Sequence, residues 1–262
     1  MQALEDLQPE VRSIVRRVTE RLLEQGAKAV LLTGSQARGR AEPDSDIDFF
    51  AIGDGPSQRQ QCIDGRMVAV HWFTPQDVRR RLTSPGDALI AVDGWRNAIV
   101  LEDPTGVAEA LCAEARDWKW DKIEREADAW VCDELAECAE YVAKLARALA
   151  NARALDAAAF RAEVALRLAR IGAVAWRLTS ESENGFWETV ARANGADWRQ
   201  AVTEAFDPDG KGPSVTAAAV ARVFDLLADH VDELLDEDQR AAIDHARHIV
   251  ASTGTKPARS RP

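Results

Sequence analysis

Apolar residues recur at helical spacing from residue 6 to 25, where Leu7, Val11, Ile14, Val15, Val18, Leu22 and Leu23 alternate with arginines and glutamates. That period predicts an amphipathic helix with one face turned to a core. Gly26 ends it, and Ala29-Val30-Leu31-Leu32-Thr33 is a short apolar run entering Gly34-Ser35, the pattern of a buried strand that meets a tight turn. A second strand is predicted over Asp46–Ile52, closed by Gly53-Asp54-Gly55-Pro56, and a third over Met67–Phe73. Thr74-Pro75-Gln76-Asp77 has the form of an N-cap with proline at the first helical position, leading into Val78–Leu82. Asn97–Glu102 predicts a short strand turning at Asp103-Pro104-Thr105-Gly106, and Val107–Ala115 a helix that completes this part of the chain.

Beyond Trp118 the pattern changes. Alanine, leucine, arginine and glutamate dominate, with few breakers, and helical periodicity is predicted over about 121–150, 156–179, 183–193, 214–234 and 237–251. Turn signals separate these spans at Asn151, Ser180-Glu181-Ser182, Asn194-Gly195 and Asp207–Pro213. The expected fold class is α+β: an N-terminal mixed-sheet domain over residues 1–117, an all-α helical bundle over 118–252, and a flexible polar tail over 253–262.

Charge and composition narrow the function classes. The formal charge of −11 disfavours a protein that grips a long phosphate backbone and suits cationic small molecules better. No apolar run approaches the length of a membrane span, and the N-terminus is acidic, which points to a cytoplasmic protein. Cys62, Cys112, Cys132 and Cys138 form no CxxC pair and lack histidines at metal-ligand spacing, so they are expected as reduced thiols.

The chemistry is concentrated in Leu31-Leu32-Thr33-Gly34-Ser35-Gln36-Ala37-Arg38-Gly39-Arg40 and Asp44-Ser45-Asp46-Ile47-Asp48-Phe49. Residues two apart on a strand point to one side, so Asp46 and Asp48 are expected together, with Ile47 and Phe49 on the opposite, apolar side. Two neighbouring carboxylates raise each other's pKa unless a cation offsets them, and magnesium, which prefers carboxylate and phosphate oxygens, is the natural counterion. Glycine lets the backbone approach a phosphate, while Ser35 and nearby N–H groups donate to its oxygens and Arg38 and Arg40 add charge.

This constellation closely resembles the DNA polymerase β-like nucleotidyltransferase superfamily, whose signature is an apolar strand, Gly-Ser or Gly-Gly, a spacer and Asp-x-Asp or Asp-x-Glu. Within it, the likeness is nearest to kanamycin nucleotidyltransferase-like two-domain antibiotic-modifying enzymes. It extends through Met67–Trp72 and through Ile99–Gly106, and becomes faint beyond residue 118. The resemblance implies Asp46 and Asp48 as metal ligands and catalytic residues, and Gly34, Ser35 and Arg38 as nucleotide-binding residues. It also implies Mg²⁺ as cofactor and ATP as donor of AMP to a hydroxyl of a small acceptor, such as an aminoglycoside.

Two further positions carry weight. The superfamily usually places a third carboxylate on the strand after Asp-x-Asp, and the matching position is Ala69; His71 shares that strand face and is either an additional ligand or a structural histidine. Asp133-Glu134-Leu135-Ala136-Glu137 resembles the run that supplies the general base in kanamycin nucleotidyltransferase, which points to Glu137, though the same acidic residues also read as a solvated helix face. The expected partners are a nucleoside triphosphate and a small hydroxyl-bearing acceptor, with no membrane and no long nucleic acid, and a homodimer stays open. A protein hydroxyl as acceptor, or a decayed nucleotide-binding module, are the alternatives.

Overall fold

The computed structural model describes Glu5 and residues 7–182, 184–207 and 209–253, so all of the expected tail but Thr253 lies outside the described residues. The chain divides into two compact units. One runs through Lys122 and takes in the short segment that starts at Thr179; the other comprises Ile123–Leu178 and the chain from Asn184 onward.

The first unit is a mixed five-stranded sheet with helices on both faces. Helix α1 (Pro9–Glu24) leads into β1 (Ala29–Thr33), the single turn α2 (Gly34–Ala37), and strands β2 (Ile47–Ile52), β3 (Gln58–Ile63) and β4 (Arg66–Phe73). Helices α3 (Pro75–Thr83) and α4 (Pro85–Arg96), strand β5 (Ile99–Glu102) and helix α5 (Val107–Arg116) complete it. The spatial order is β3-β4-β2-β1-β5; β2 and β4 run parallel, and the other neighbours are antiparallel.

Period-two alternation divides the sheet into two faces. Val30 and Leu32, Ile47 and Phe49, Val68 and Val70 form one face, buried against Val11, Ile14, Val15, Val18 and Leu22 of α1. On the other face lie Leu31, Asp48, Phe50, Ala69, His71 and Phe73, and here Phe50 stacks on Trp95 of α4 at 4.7 Å between ring centroids. Burial of both faces explains why β1 is apolar as far as Thr33 and buried at all five positions.

The second unit is helical, with α6 (Glu124–Ala150), α7 (Ala154–Ala175), α8 (Phe186–Arg192), α9 (Gly195–Phe206), α10 (Pro213–His230) and α11 (Glu237–Ser252). Helix α6 packs on α7 and α11, and α9 on α10. The α+β reading holds: a mixed sheet in the N-terminal region, followed by helices. No helix of the described residues is long and apolar enough to cross a membrane.

Several elements differ from the sequence reading. Strand β3 was not expected, because Gln58-Arg59-Gln60-Gln61 is polar on both faces; it forms as an edge strand along β4, where polarity carries no burial cost. Helix α4 contains Gly86 and Gly94, breakers on propensity grounds, yet it forms because Ala88, Leu89, Val92 and Trp95 are buried. Helix α9 follows the turn signal at Asn194-Gly195 directly and buries Trp198, Ala201, Val202 and Ala205. The span expected as helix to residue 179 stops at Ala175, and Arg177 takes a positive φ of 54°.

Candidate active site

The site is assembled where β1 ends beside the start of β2. Strand β1 pairs antiparallel with β2 so that Thr33 faces Asp48, and β2 pairs parallel with β4 so that Asp48 faces Ala69. Thr33 donates its hydroxyl hydrogen to the Gly94 carbonyl at 3.3 Å, which ties the end of β1 to α4. The chain then turns at Gly34, whose φ of +69° lies in the left-handed region where a side chain is strained.

Gly34 sits directly on Asp48. A Cβ at position 34 would fall 2.2 Å from Asp48 Oδ2 and 3.1 Å from its Cγ. The close approach brings the Gly-Ser bend and the carboxylate into one locus, with α2 continuing through half-buried Ser35 and buried Gln36. The bend is closed by the Arg40 N–H donating to the Ser35 carbonyl at 3.0 Å. The spacer before Asp46 is likewise turned: the Glu42 N–H donates to Ser45 Oγ at 2.8 Å, and the Arg66 guanidinium donates to the Pro43 carbonyl.

Asp46 is exposed and lies just outside β2, which begins at Ile47; Asp48 is the half-buried member of the pair. Burial, and after it the negative charge of Asp46, push the Asp48 carboxyl up to about 6, against a smaller downward pull from Arg38. Such a shift marks negative charge that the protein alone does not fully compensate. Arg38, with its side chain 11% exposed, lies 3.7 Å from Glu181 Oε2, and the more exposed Arg40 donates to the same oxygen at 2.6 Å. Glu181 belongs to the segment that starts at Thr179, which is anchored by the Ser180 N–H donating to the Leu89 carbonyl at 2.7 Å.

His71 lies one residue pair along β4 from Ala69, opposite Phe50 in the register. It is surrounded by rings, stacked on Phe73 and edge-on to Phe50, each at 6.3 Å. Burial and, secondarily, the Arg81 charge push its pKa down, so the imidazole is held neutral. Glu137 lies in the second unit on α6, exposed, where it and Glu134 both accept hydrogen bonds from Arg167 Nη2, at 3.0 and 2.9 Å.

The residues singled out from sequence thus form two groups. Gly34, Ser35, Arg38, Asp46 and Asp48 gather at one end of β1 and β2, with His71 farther along the same face; Glu137 stands in the second unit. Sequence reasoning missed Glu181, whose contact with the Gly-Ser bend spans more than 140 residues of chain and leaves no local signal. It also missed Trp95, which lies in the unanticipated α4.

A divalent ion fits this donor set in a restricted way. Among the described residues no group of three His, Cys, Asp or Glu side chains could hold a metal by itself. Magnesium, however, is commonly bound through one or two carboxylates with water and substrate phosphates completing the octahedron, and an aspartate pair beside a glycine bend meets that requirement.

A mixed sheet with an aspartate pair beside a glycine-serine bend is the arrangement of a nucleotidyltransferase. A family model for the nucleotidyltransferase domain matches residues 11–149, more than half of the chain and all five strands. The chain belongs to this nucleotidyltransferase domain family, which implies a nucleoside triphosphate substrate and nucleotidyl transfer. Among solved structures, it is similar to a nucleotidyltransferase-like protein from Exiguobacterium sibiricum 255-15, with 13% identity, 93% of this chain and 78% of the other covered, and a TM-score of 0.49. No curated protein matches the sequence.

Proposed function

We propose that the protein transfers a nucleoside monophosphate, AMP from ATP, to a hydroxyl of a small acceptor and releases pyrophosphate. The observation that carries this reading is the contact of Gly34 with Asp48, which sets an under-compensated carboxylate against the bend best suited to hold phosphate.

In this mechanism Asp46 and Asp48 would hold Mg²⁺. Held there, Mg²⁺ would supply positive charge to offset the negative charge that develops on the α-phosphate and the leaving pyrophosphate. The protein's part is positioning. The N–H groups and hydroxyl at Gly34 and Ser35 would donate to phosphate oxygens, and Arg38 would add positive charge once exchanged from Glu181. His71, neutral and ringed by aromatics, serves as a wall of the site. We assign the general base to Glu137, on the resemblance of residues 133–137 to kanamycin nucleotidyltransferase.

The acceptor proposal is an aminoglycoside-type molecule. Its support is the formal charge of −11, which favours polycations, together with the likeness of residues 67–72 and 99–106 to antibiotic-modifying enzymes. A second reading, nucleotide binding without transfer, draws on Ala69, which faces Asp48 where the superfamily usually has a third carboxylate.

A screen for pyrophosphate release from Mg-ATP against aminoglycosides, lincosamides and candidate proteins tests these readings. Release stimulated by one acceptor class, and lost in Asp48→Asn, supports transfer. Magnesium-dependent ATP binding with no release for any acceptor favours the second reading.

A further inference from the structure

The sheet has a second concavity, on the face turned away from Asp48. Trp72 of β4 belongs to the core face that packs under α1, and beside it opens a cavity of about 260 Å³. Its walls come from the last turn of α1 with Arg21, the loop after β2 with Asp54 and Gly55, and strand β3 with Arg59 and Gln61. Gly55 makes this geometry possible. A Cβ there would lie 2.3 Å from Trp72 Cδ2 and 2.6 Å from Cε2, so the loop backbone rests on the indole in a way no other residue permits.

The polar groups of this cavity are mostly donors without acceptors. Neither Arg21 nor Arg59 forms an ion pair with any described residue. The Gln61 amide nitrogen is buried and has no hydrogen-bond partner among the described residues. A buried donor left unmade costs about 1–3 kcal/mol, and native structures rarely tolerate one without a water, ion or ligand to receive it. The two guanidinium groups outweigh the single carboxylate, Asp54, and favour negatively charged oxygen in the cavity. Pockets for drug-sized ligands span about 300–1,000 Å³. At about 260 Å³ the cavity is at the small end for ligand sites, which suits a compact polyanion.

We propose that the cavity bounded by Arg21, Arg59, Gln61 and Trp72 binds a small oxyanion-bearing molecule, a phosphate or a polycarboxylate. This site is separate from the nucleotidyl-transfer centre and does not depend on the activity proposed for it.

The test is a titration of the full chain, free of nucleotide and metal, with inorganic phosphate and in a second arm with citrate. Binding is followed by NMR at the Trp72 indole N–H and the Gln61 side-chain amide. The expected result is saturable shifts at both groups with at least one probe, weakened about tenfold in Arg21→Ala and in Arg59→Gln. The shifts persist in Ser35→Ala, which removes a phosphate donor at the other site. Arg59 is exposed on an edge strand, so its variant keeps the fold, and unchanged signals elsewhere in the spectrum verify this. Absence of saturable shifts with both probes would overturn the proposal. So would shifts undiminished in both arginine variants, or shifts abolished by Ser35→Ala.

Discussion

Gly34 and Asp48 are in such close contact that the space a Cβ would need at position 34 is already taken by the Asp48 carboxylate oxygen, 2.2 Å away. Gly34→Ala therefore brings two separate penalties. The positive φ strains any side chain, at a cost of about 1 kcal/mol, and the new methyl group displaces the carboxylate. A misplacement of about 1 Å in a catalytic centre can cost about 100-fold in rate. The variant should remain folded, with a modestly lowered melting temperature, and lose transfer activity by that order. Steady-state kinetics beside a thermal melt would check both.

Asp48 should make the metal-free protein more stable in mild acid. Its folded carboxyl is raised from 3.8 to about 6, so between those values the native state binds more protons than the unfolded chain. Stability contributed by this group is then highest below about pH 4, falls as pH rises through about 6, and is level above it. With allowance for the solvent that still reaches the side chain, the penalty at neutral pH is about 2 kcal/mol. In chelator, Asp48→Asn should raise the melting temperature at pH 8 and leave it nearly unchanged at pH 4. A variant no more stable than the parent at pH 8 would contradict this.

Ala69 faces Asp48 across the parallel β2–β4 pair, and it is the position where a third carboxylate would enter the site. Ala69→Asp should tighten Mg²⁺ binding about tenfold, because affinity for a hard cation rises with the number of charged oxygens. Without metal the extra buried charge should destabilise the fold. Calorimetric titration with Mg²⁺, alongside melts with and without it, separates the two effects.

Glu181 occupies the two arginines of the bend, so in the proposed reaction phosphate would compete with it for them. Its pair with Arg40 is largely solvent-exposed, and such pairs contribute about 0.2–1 kcal/mol. Glu181→Gln should accordingly lower the KM for the nucleotide by up to about fivefold, with kcat unchanged. A raised KM would assign Glu181 to nucleotide binding instead.

The legibility of this protein follows how local its determinants are. Strand β1, the bend at Gly34-Ser35 and the aspartates at the start of β2, Asp46 just before it and Asp48 within it, fall within twenty residues, each with its own signal in period, turn residue or charge. Thr74 and Asp77 spelled out the start of α3, and the reciprocal bonds of a capping box are present there. Strand β3 was opaque because an edge strand needs no apolar face, and α4 because tertiary burial of Leu89 and Trp95 overrides the breaking tendency of Gly86 and Gly94. Glu181 was legible only as part of a turn, with no sign of its contact with the bend. Its partners Arg38 and Arg40 come from the opposite end of the first unit's sequence, and only the folded chain brings them together.

The central claim is that Asp46 and Asp48 clamp a divalent cation against phosphates held at Gly34 and Ser35. Its most direct test is ATP affinity measured by calorimetry with and without Mg²⁺, in the parent and in a folded variant carrying Asp46→Asn and Asp48→Asn. Mg²⁺ is expected to strengthen ATP binding about tenfold or more in the parent and to have no effect in the variant. Equal strengthening by Mg²⁺ in both proteins would contradict the claim.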